Sequence, residues 1–182
     1  DLALAKDAGF TDIVVDVRPT TGDVLFKTNL VDQVKFMYAW IGSNYTKVER
    51  TATWDYLQAF VDEARKQGLR IHAAINTFVG GNQIDGGTGL LYRDQSKAEW
   101  ATQMNMQVGI TSVMNTSEST KFFNPAHPEV QTFLCDLLKD LAGYDLDGIF
   151  LDRGRFLNLQ ADFSEESRKQ FEEYMGGIRI QN

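Results

Sequence analysis

Short apolar runs alternate with amphipathic segments along the chain. Three of these runs are rich in β-branched residues and predict strands: TDIVVDVRP (11–19), RIHAAINTF (70–78) and LDGIFLD (146–152). Each follows a segment that ends in glycine and whose apolar residues recur at helical spacing, which predicts a helix before every strand. SEESRKQFEEYMGG (164–177) predicts a final helix that starts at Ser164 and ends at Gly176.

The order of strand, helix, strand, helix, strand indicates a parallel sheet, because parallel neighbours need a long crossover connection. A doubly wound open sheet and a (β/α)8 barrel both fit this order. The glycine-rich stretch 80–89 has no phosphate-binding spacing and opens no helix, so it does not indicate a nucleotide site. The long connections follow the carboxyl ends of the strands, as in barrel enzymes. We therefore predict an α/β fold that is part of a (β/α)8 TIM barrel.

Residues 1–182 are expected to form a partial TIM-barrel catalytic domain with about three parallel strands and their crossover helices, truncated at both ends. The connection after the first strand is expected to be a long loop. In the connection after the second strand, alternation over residues 108–125 predicts a small hairpin.

Composition excludes several functional classes. The net charge is -7 and basic residues form no stripe, which argues against nucleic acid as a partner. No apolar run approaches the roughly 18 residues that a membrane span needs. The single cysteine, Cys135, cannot form an internal disulfide and is expected on the buried face of a helix. His72 reads as a core residue and His127 as part of a helix's first turn, so neither a metal nor a cofactor is expected.

Five motifs cover nearly the whole chain: GFTDIVVDVRPTTGDVLF (9–26), ARKQGLRIHAAINTF (64–78), FNPAHPEV (123–130), YDLDGIFLD (144–152) and FSEESRKQFEEYMG (163–176). In this order they resemble the family 10-like glycosyl hydrolases, polysaccharide-processing barrels found mostly in bacteria. The resemblance implies that the three strands are roughly the second, third and fourth of the barrel. It also implies a carbohydrate substrate and hydrolysis of a glycosidic bond. Such a role would fit the periplasm or the cell surface, and no oligomeric state is predicted.

Asp152 is the candidate catalytic residue, because it ends the third strand and such acids face the active-site mouth of a barrel. Glycoside cleavage uses one carboxyl group that attacks or activates water and another that protonates the leaving oxygen. The resemblance implies the first role for Asp152. Arg153 and Arg155 are expected to hold Asp152 ionised or to bind an anionic sugar. The alternative is a structural ion pair at the end of the strand.

Further substrate-binding candidates lie at or after the ends of the first two strands: Arg18, Asp23, Asn76 and Trp100. Arg18 lies two residues after Asp16, so a salt bridge between these side chains is the alternative to substrate contact. Trp40 and Trp100 are candidates for stacking on sugar rings, whereas Trp54 is expected in the core.

Three loop acids lie on the same side as Asp152, and none is singled out as the second carboxylate: Asp23, Asp85 and Glu118. The fourth strand of the family typically reads D-G-I-H-F-D-D-Y; here Phe150 replaces the histidine and Arg153 the second aspartate. Asp16 also stands where the family more often has an uncharged polar residue. A non-catalytic carbohydrate-binding or degenerate barrel is therefore the alternative function. A lyase or aldolase barrel would need a Schiff-base lysine or a metal cluster at the strand ends, and the sequence shows neither.

Overall fold

The computed structural model of the protein describes residues 1–180. The α-helices of this range are α1 (Leu2–Asp7), α2 (Tyr56–Lys66), α3 (Leu90–Arg93), α4 (Pro128–Leu141) and α5 (Glu165–Tyr174). The strands are β1 (Asp12–Arg18), β2 (Phe36–Ile41), β3 (Asn44–Glu49), β4 (Arg70–Asn76), β5 (Val79–Asn82), β6 (Gln103–Met106), β7 (Gly109–Ser112), β8 (Thr120–Phe122) and β9 (Gly148–Asp152).

Strands β1, β4 and β9 form a parallel sheet in that order. Val15 of β1 pairs with Ala73 of β4, and Ala73 pairs with Ile149 of β9. Helix α2 separates β1 from β4 along the chain and α4 separates β4 from β9, which supplies the crossover that each parallel pair requires. The predicted α/β fold with three parallel strands is confirmed, and the strands are those that the apolar runs predicted.

One face of this sheet forms the core together with the helices. Ile71, Ala73 and Ile75 of β4 are fully buried. The apolar stripes of α2 and α4 are also buried: Leu57, Val61, Ala64, Val130, Phe133, Leu134, Leu137 and Leu141. Each large side chain removed from water contributes about 1.5–3 kcal/mol, so this layer of helices is held on the sheet mainly by apolar burial.

Side-chain caps and glycines set the helix boundaries, and those at Ser164, Gly68 and Gly176 are where the sequence predicted them. Asp55 and Ser164 accept hydrogen bonds from backbone N–H groups in the first turns of α2 and α5, and His127 does so for α4. Gly68 and Gly176 follow α2 and α5 with φ of 64° and 77°. Glycine adopts this left-handed conformation without a Cβ clash, which explains why these helices end there.

The connections differ in length at the two ends of the sheet, as predicted. The helix-to-strand turns are 8–11, 67–69 and 142–147, whereas the connections after the strands are 19–55, 77–127 and 153–164. All three long connections therefore leave from the carboxyl ends of β1, β4 and β9.

Two antiparallel hairpins lie within these connections. Strands β2 and β3 pair from Phe36 with Glu49 to Ile41 with Asn44, in the segment that was expected to be a loop. Strands β6 and β7 pair over residues 103–112, and β8 pairs with β5. The hairpin predicted over 108–125 is therefore wrong, because short alternating segments do not encode which distant strand they pair with.

Two burial predictions are also wrong. Cys135 is exposed, because it follows the buried Leu134 by one residue and a helix turns by about 100° per residue. Trp54 is 56% exposed. It precedes the Asp55 cap and so lies outside the buried stripe of α2.

Candidate active site

The second face of the parallel sheet is open to solvent, and six even-numbered positions define this open face: Val14, Asp16, His72, Ala74, Phe150 and Asp152. Side chains alternate along a strand, so these positions project away from the face that the helices cover. Val14 is 52% and Phe150 is 53% exposed, although both are large apolar side chains within a sheet. The open face carries two carboxylates near its carboxyl end, Asp16 and Asp152.

Asp152 is exposed at the last position of β9, where it pairs with Asn76 of β4. Its carboxylate accepts a hydrogen bond from the backbone N–H of Arg153 at 2.7 Å. Its backbone carbonyl accepts another from Thr77, also at 2.7 Å. These bonds fix the end of the strand and leave the carboxylate open to solvent. The location of Asp152 is the one the sequence predicted, and its catalytic role stays a prediction.

The arginines after Asp152 are placed differently from the expectation. Arg155 is exposed and donates to the backbone carbonyls of Phe156 and Leu157 at 2.9 and 2.6 Å. Among residues 1–180, neither Arg153 nor Arg155 forms a salt bridge with Asp152. The guanidinium of Arg155 is held by local backbone groups, so the predicted role of Arg155 in keeping Asp152 ionised is not supported by a contact.

Asp16 is the residue on this face that the sequence did not assign to the reaction. The protein around its carboxylate removes part of its hydration, and this desolvation raises the pKa of Asp16. A hydrogen bond from the backbone N–H of Arg18 at 3.2 Å opposes the shift, and the negative charge of Asp152 adds to it. Asp16 and Asp152 both occupy even-numbered positions near the ends of their strands, and this is the sequence signal that could have grouped them. Only the parallel pairing places them on one face.

Arg18 is completely buried. Its guanidinium donates to the carbonyls of Asn76 and Val79, each at 2.5 Å. The strand register shifts between Asp16 and Arg18, so the alternation that predicted a pair between these two side chains breaks there. Burial lowers the pKa of Arg18 to about 10, although Asp23 and Asp16 oppose this shift. Arg18 therefore has structural contacts here rather than a side-chain pair with Asp16. Its contact with a substrate stays a prediction.

Asp23 is 4% exposed and forms a bidentate salt bridge with Arg93. Burial raises the pKa of Asp23, while the hydrogen bond and charge of Arg93 oppose the shift. Both carboxylate oxygens accept hydrogen bonds from Arg93, which forms an internal ion pair between the first and second long connections. The substrate contact of Asp23 stays a prediction.

Asn76 and Trp100 are also buried. Asn76 is 5% exposed, and its amide nitrogen donates to the backbone carbonyl of Arg18 at 2.9 Å. Trp100 is 6% exposed, packs against Phe133 with ring centroids 5.5 Å apart, and donates to Glu129 at 2.9 Å. Trp100 thus lies in the core of this structure, and its role in stacking on a sugar ring stays a prediction. Asn76 holds the ends of β1 and β4 together.

His72 belongs to a structural cluster at the lower part of the open face. Its Nε2 lies 2.8 Å from Asp12, which also accepts a hydrogen bond from Arg70 at 2.7 Å. The hydrogen bonds from Arg70, His72 and Thr11 hold the pKa of Asp12 well below its usual range. This cluster ties β1 to β4 at their amino ends, so His72 has a structural contact, in agreement with its interpretation as a satisfied core residue.

Within residues 1–180, no group of three or more His, Cys, Asp and Glu side chains is arranged to bind a metal ion. No helix in the same range is both long and apolar enough to cross a bilayer.

Comparisons with known proteins agree with this geometry. The sequence profile of the family described as glycosyl hydrolase-like 10 matches residues 2–177. An S-layer-related protein of Niallia circulans is 31% identical over 189 residues; the match covers the whole chain but only 11% of that relative's length.

Two solved structures share the fold at low sequence identity. α-L-fucosidase isoenzyme 2 of Paenibacillus thiaminolyticus matches 96% of this chain and 22% of its own, with a TM-score of 0.61 and 17% identity. A hypothetical protein of Ruminiclostridium thermocellum ATCC 27405 matches 96% of this chain and 80% of its own, with a TM-score of 0.58 and 15% identity. The profile match over nearly the whole chain confirms the family that the sequence motifs indicated. The chain therefore belongs to the glycosyl hydrolase-like 10 family.

Proposed function

We propose that the protein is a glycoside hydrolase that cleaves a poly- or oligosaccharide with Asp16 and Asp152 as its pair of carboxyl groups. The observation that carries this proposal is their position on one open face of a parallel sheet, near the carboxyl ends of its strands. Barrel enzymes place their catalytic residues at that end. Membership of a glycosyl hydrolase-like family supports the choice of carbohydrate as the substrate class.

The two carboxyl groups have different environments, which suits two different roles. Asp16 is exposed, but desolvation by the surrounding protein and the charge of Asp152 raise its pKa, and a raised pKa suits a general acid. Asp152 is exposed at the end of its strand and accepts a hydrogen bond from the backbone N–H of Arg153, so its carboxyl group is oriented and accessible to water and substrate. Asp16 would protonate the glycosidic oxygen while Asp152 activates water or attacks the anomeric carbon.

The register of the sheet favours inversion over retention. Strand β4 separates β1 from β9, so their backbones lie about 10 Å apart, or two strand spacings. Asp152 also lies two residues above the level of Asp16, which adds about 6.6 Å along the strands. Inverting enzymes hold their two carboxyl groups about 6.5–9.5 Å apart, and retaining enzymes hold them roughly 5 Å apart. The wide spacing of the two backbone positions fits the larger of these distances better.

We also infer that the chain is a partial TIM-barrel catalytic domain and that its open face is the lumen side of the complete barrel. Val14 and Phe150 support this, because large apolar side chains within a sheet are normally buried, and these two lie exposed on its outer strands. The chain spans only 11% of its S-layer-related relative, which leaves room for further strands outside residues 1–182. Arg153, at the mouth of this face, remains the proposed substrate-binding arginine.

Hydrolysis of polysaccharides and of aryl glycosides by Asp152→Asn and Asp16→Asn variants tests this function. Asp152→Asn should lower turnover of both substrate types by a factor of about 10²–10⁴. Asp16→Asn should lower turnover of polysaccharides far more than that of 4-nitrophenyl glycosides, because a nitrophenolate leaves without protonation. Asp147→Asn is the matched control at the amino end of the same strand, where Asp147 contacts Arg65 and the backbone of Ile71.

The variants should be compared in residues 1–182 and in a longer protein that carries the flanking sequence. Turnover in the longer protein alone is expected if the barrel needs further strands. Full activity of Asp152→Asn would contradict the assignment of this residue. Binding of polysaccharide without release of reducing ends by the wild type would instead favour the non-catalytic carbohydrate-binding alternative.

A further inference from the structure

We propose that the β2–β3 hairpin carries a second carbohydrate site, which binds neutral sugar rings by stacking on an aromatic surface outside the open face of the parallel sheet. The choice of a saccharide as ligand rests on the proposed function. The site itself rests on the geometry of four side chains, which we call the aromatic face: Phe36, Tyr38, Trp40 and Tyr45.

The aromatic face is continuous across the two strands. Phe36, Tyr38 and Trp40 alternate along β2 and so project to one side, and Tyr45 of β3 is paired with Trp40. The ring of Tyr45 is 5.3 Å from that of Trp40 and 5.3 Å from that of Tyr38, to which it is nearly parallel at 23°. Phe36 meets Tyr38 edge-on at 6.0 Å. Each ring is therefore held by a neighbouring ring.

Exposure increases towards the tip of the hairpin. Trp40 is 71% and Tyr45 is 60% exposed, whereas Phe36 and Tyr38 are half-buried. The inner rings thus support two outer rings that are open to solvent. An aromatic ring has a negative face that attracts the partly positive C–H groups on the flat side of a pyranose, and tyrosine and tryptophan add a polar group at the ring edge.

The charged border of the aromatic face favours a neutral ligand. Lys47 lies 4.3 Å from the centre of the Phe36 ring, 3.2 Å from Glu49 and 2.5 Å from Asp85. Its positive charge is thus balanced by two carboxylates, which leaves no surplus charge to bind a uronate or another polyanion. The contact with Asp85 also ties the hairpin to the connection that follows β4.

The size of the aromatic face fits a short stretch of sugar better than a protein partner. A stable protein interface buries about 800 Å² on each partner, whereas a fully buried aromatic side chain contributes about 150–250 Å². Two largely exposed rings, Trp40 and Tyr45, fall well below that requirement. They provide stacking surface of the size of a few pyranose rings.

Affinity electrophoresis of the full chain in gels that contain xylan, mixed-linkage β-glucan, galactomannan or polygalacturonate tests the site. The assay uses the Asp152→Asn background, so that binding is measured independently of turnover. We expect retardation by at least one neutral polysaccharide, a roughly tenfold loss of affinity in Trp40→Ala, and substantial retention in Trp40→Phe, which keeps an aromatic ring.

Ile41→Ala is the matched control. Ile41 is 59% exposed and adjoins Trp40, but it projects from the opposite side of the hairpin. Equal losses in Ile41→Ala and Trp40→Ala would overturn the proposal, as would retardation by polygalacturonate alone or by no probe. Conversion of a dimer to a monomer by Trp40→Ala in sedimentation would also overturn it, because the surface would then be a protein interface. If hydrolysis is absent but polysaccharide still binds in a way that depends on Trp40, only the proposed catalytic function is contradicted.

Discussion

Replacing Arg18 with methionine removes a buried cation from the junction between β1 and the connection that follows β4. The guanidinium donates to the carbonyls of Asn76 and Val79 at 2.5 Å each, and more weakly to Thr77 at 3.4 Å. Methionine is apolar and can occupy similar space, but it supplies no donor. The variant therefore tests whether Arg18 stabilises the fold or is retained for a ligand.

The expected loss follows from the two short hydrogen bonds. A buried acceptor that loses its donor costs about 1–3 kcal/mol, so the carbonyls of Asn76 and Val79 together give about 2–6 kcal/mol. Methionine also removes the cost of keeping a cation in a place where burial lowers the pKa of Arg18 to about 10. The net destabilisation should therefore lie in the lower part of that range, at about 3 kcal/mol.

Urea unfolding followed by tryptophan fluorescence measures this loss, since the buried Trp100 contacts Phe123, which the Arg18 guanidinium approaches to 5.9 Å. Arg155→Met is the matched control, because Arg155 also donates to two backbone carbonyls but is exposed. Its effect should stay within about 0.5 kcal/mol. If the two variants lost the same stability, or if Arg18→Met lost less than about 1 kcal/mol, the structural role of Arg18 would be refuted.

Three further perturbations test the electrostatics and the core. Asp152→Asn should lower the pKa of Asp16 in a ¹³C NMR titration, because it removes a negative charge that raises it; an unchanged midpoint would show that the carboxylates do not interact. The pKa of Asp12 is held below its ordinary value of 3.8, chiefly by the hydrogen bond from Arg70. The stability that ionised Asp12 gives to the folded state is therefore present above pH 3.8 and is lost as the pH falls below it. Asp12→Asn should accordingly lower the urea midpoint at neutral pH but not in acid, and equal effects at both would contradict the linkage. Trp100→Ala should cost about 3–5 kcal/mol in urea unfolding followed by circular dichroism, which does not need Trp100 as the reporter, as expected for a packed core tryptophan; a loss below about 1 kcal/mol would argue against its burial.

The sequence by itself determined the three parallel strands, the helices that adjoin them, and the order of these elements. Apolar runs marked β1, β4 and β9. Periodic stripes and terminal glycines marked the helices between them, and Ser164 marked the start of α5. These signals are local, because a residue's place on a helix stripe or a strand face depends on neighbours a few positions away. The order of elements also placed Asp152 at the carboxyl end of a parallel strand, where it is found.

Tertiary structure decided which side chains are available for chemistry. A register shift after Asp16 directed the Arg18 side chain towards the protein interior. Contacts between distant segments buried Asp23 with Arg93 and Trp100 with Phe133. The parallel pairing of β1, β4 and β9 brought Asp16 and Asp152 to one face, and the pairing of β2 with β3 assembled the aromatic face. Exposure, pKa and ion pairing depend on residues that are distant along the chain, and sequence periodicity does not identify those residues.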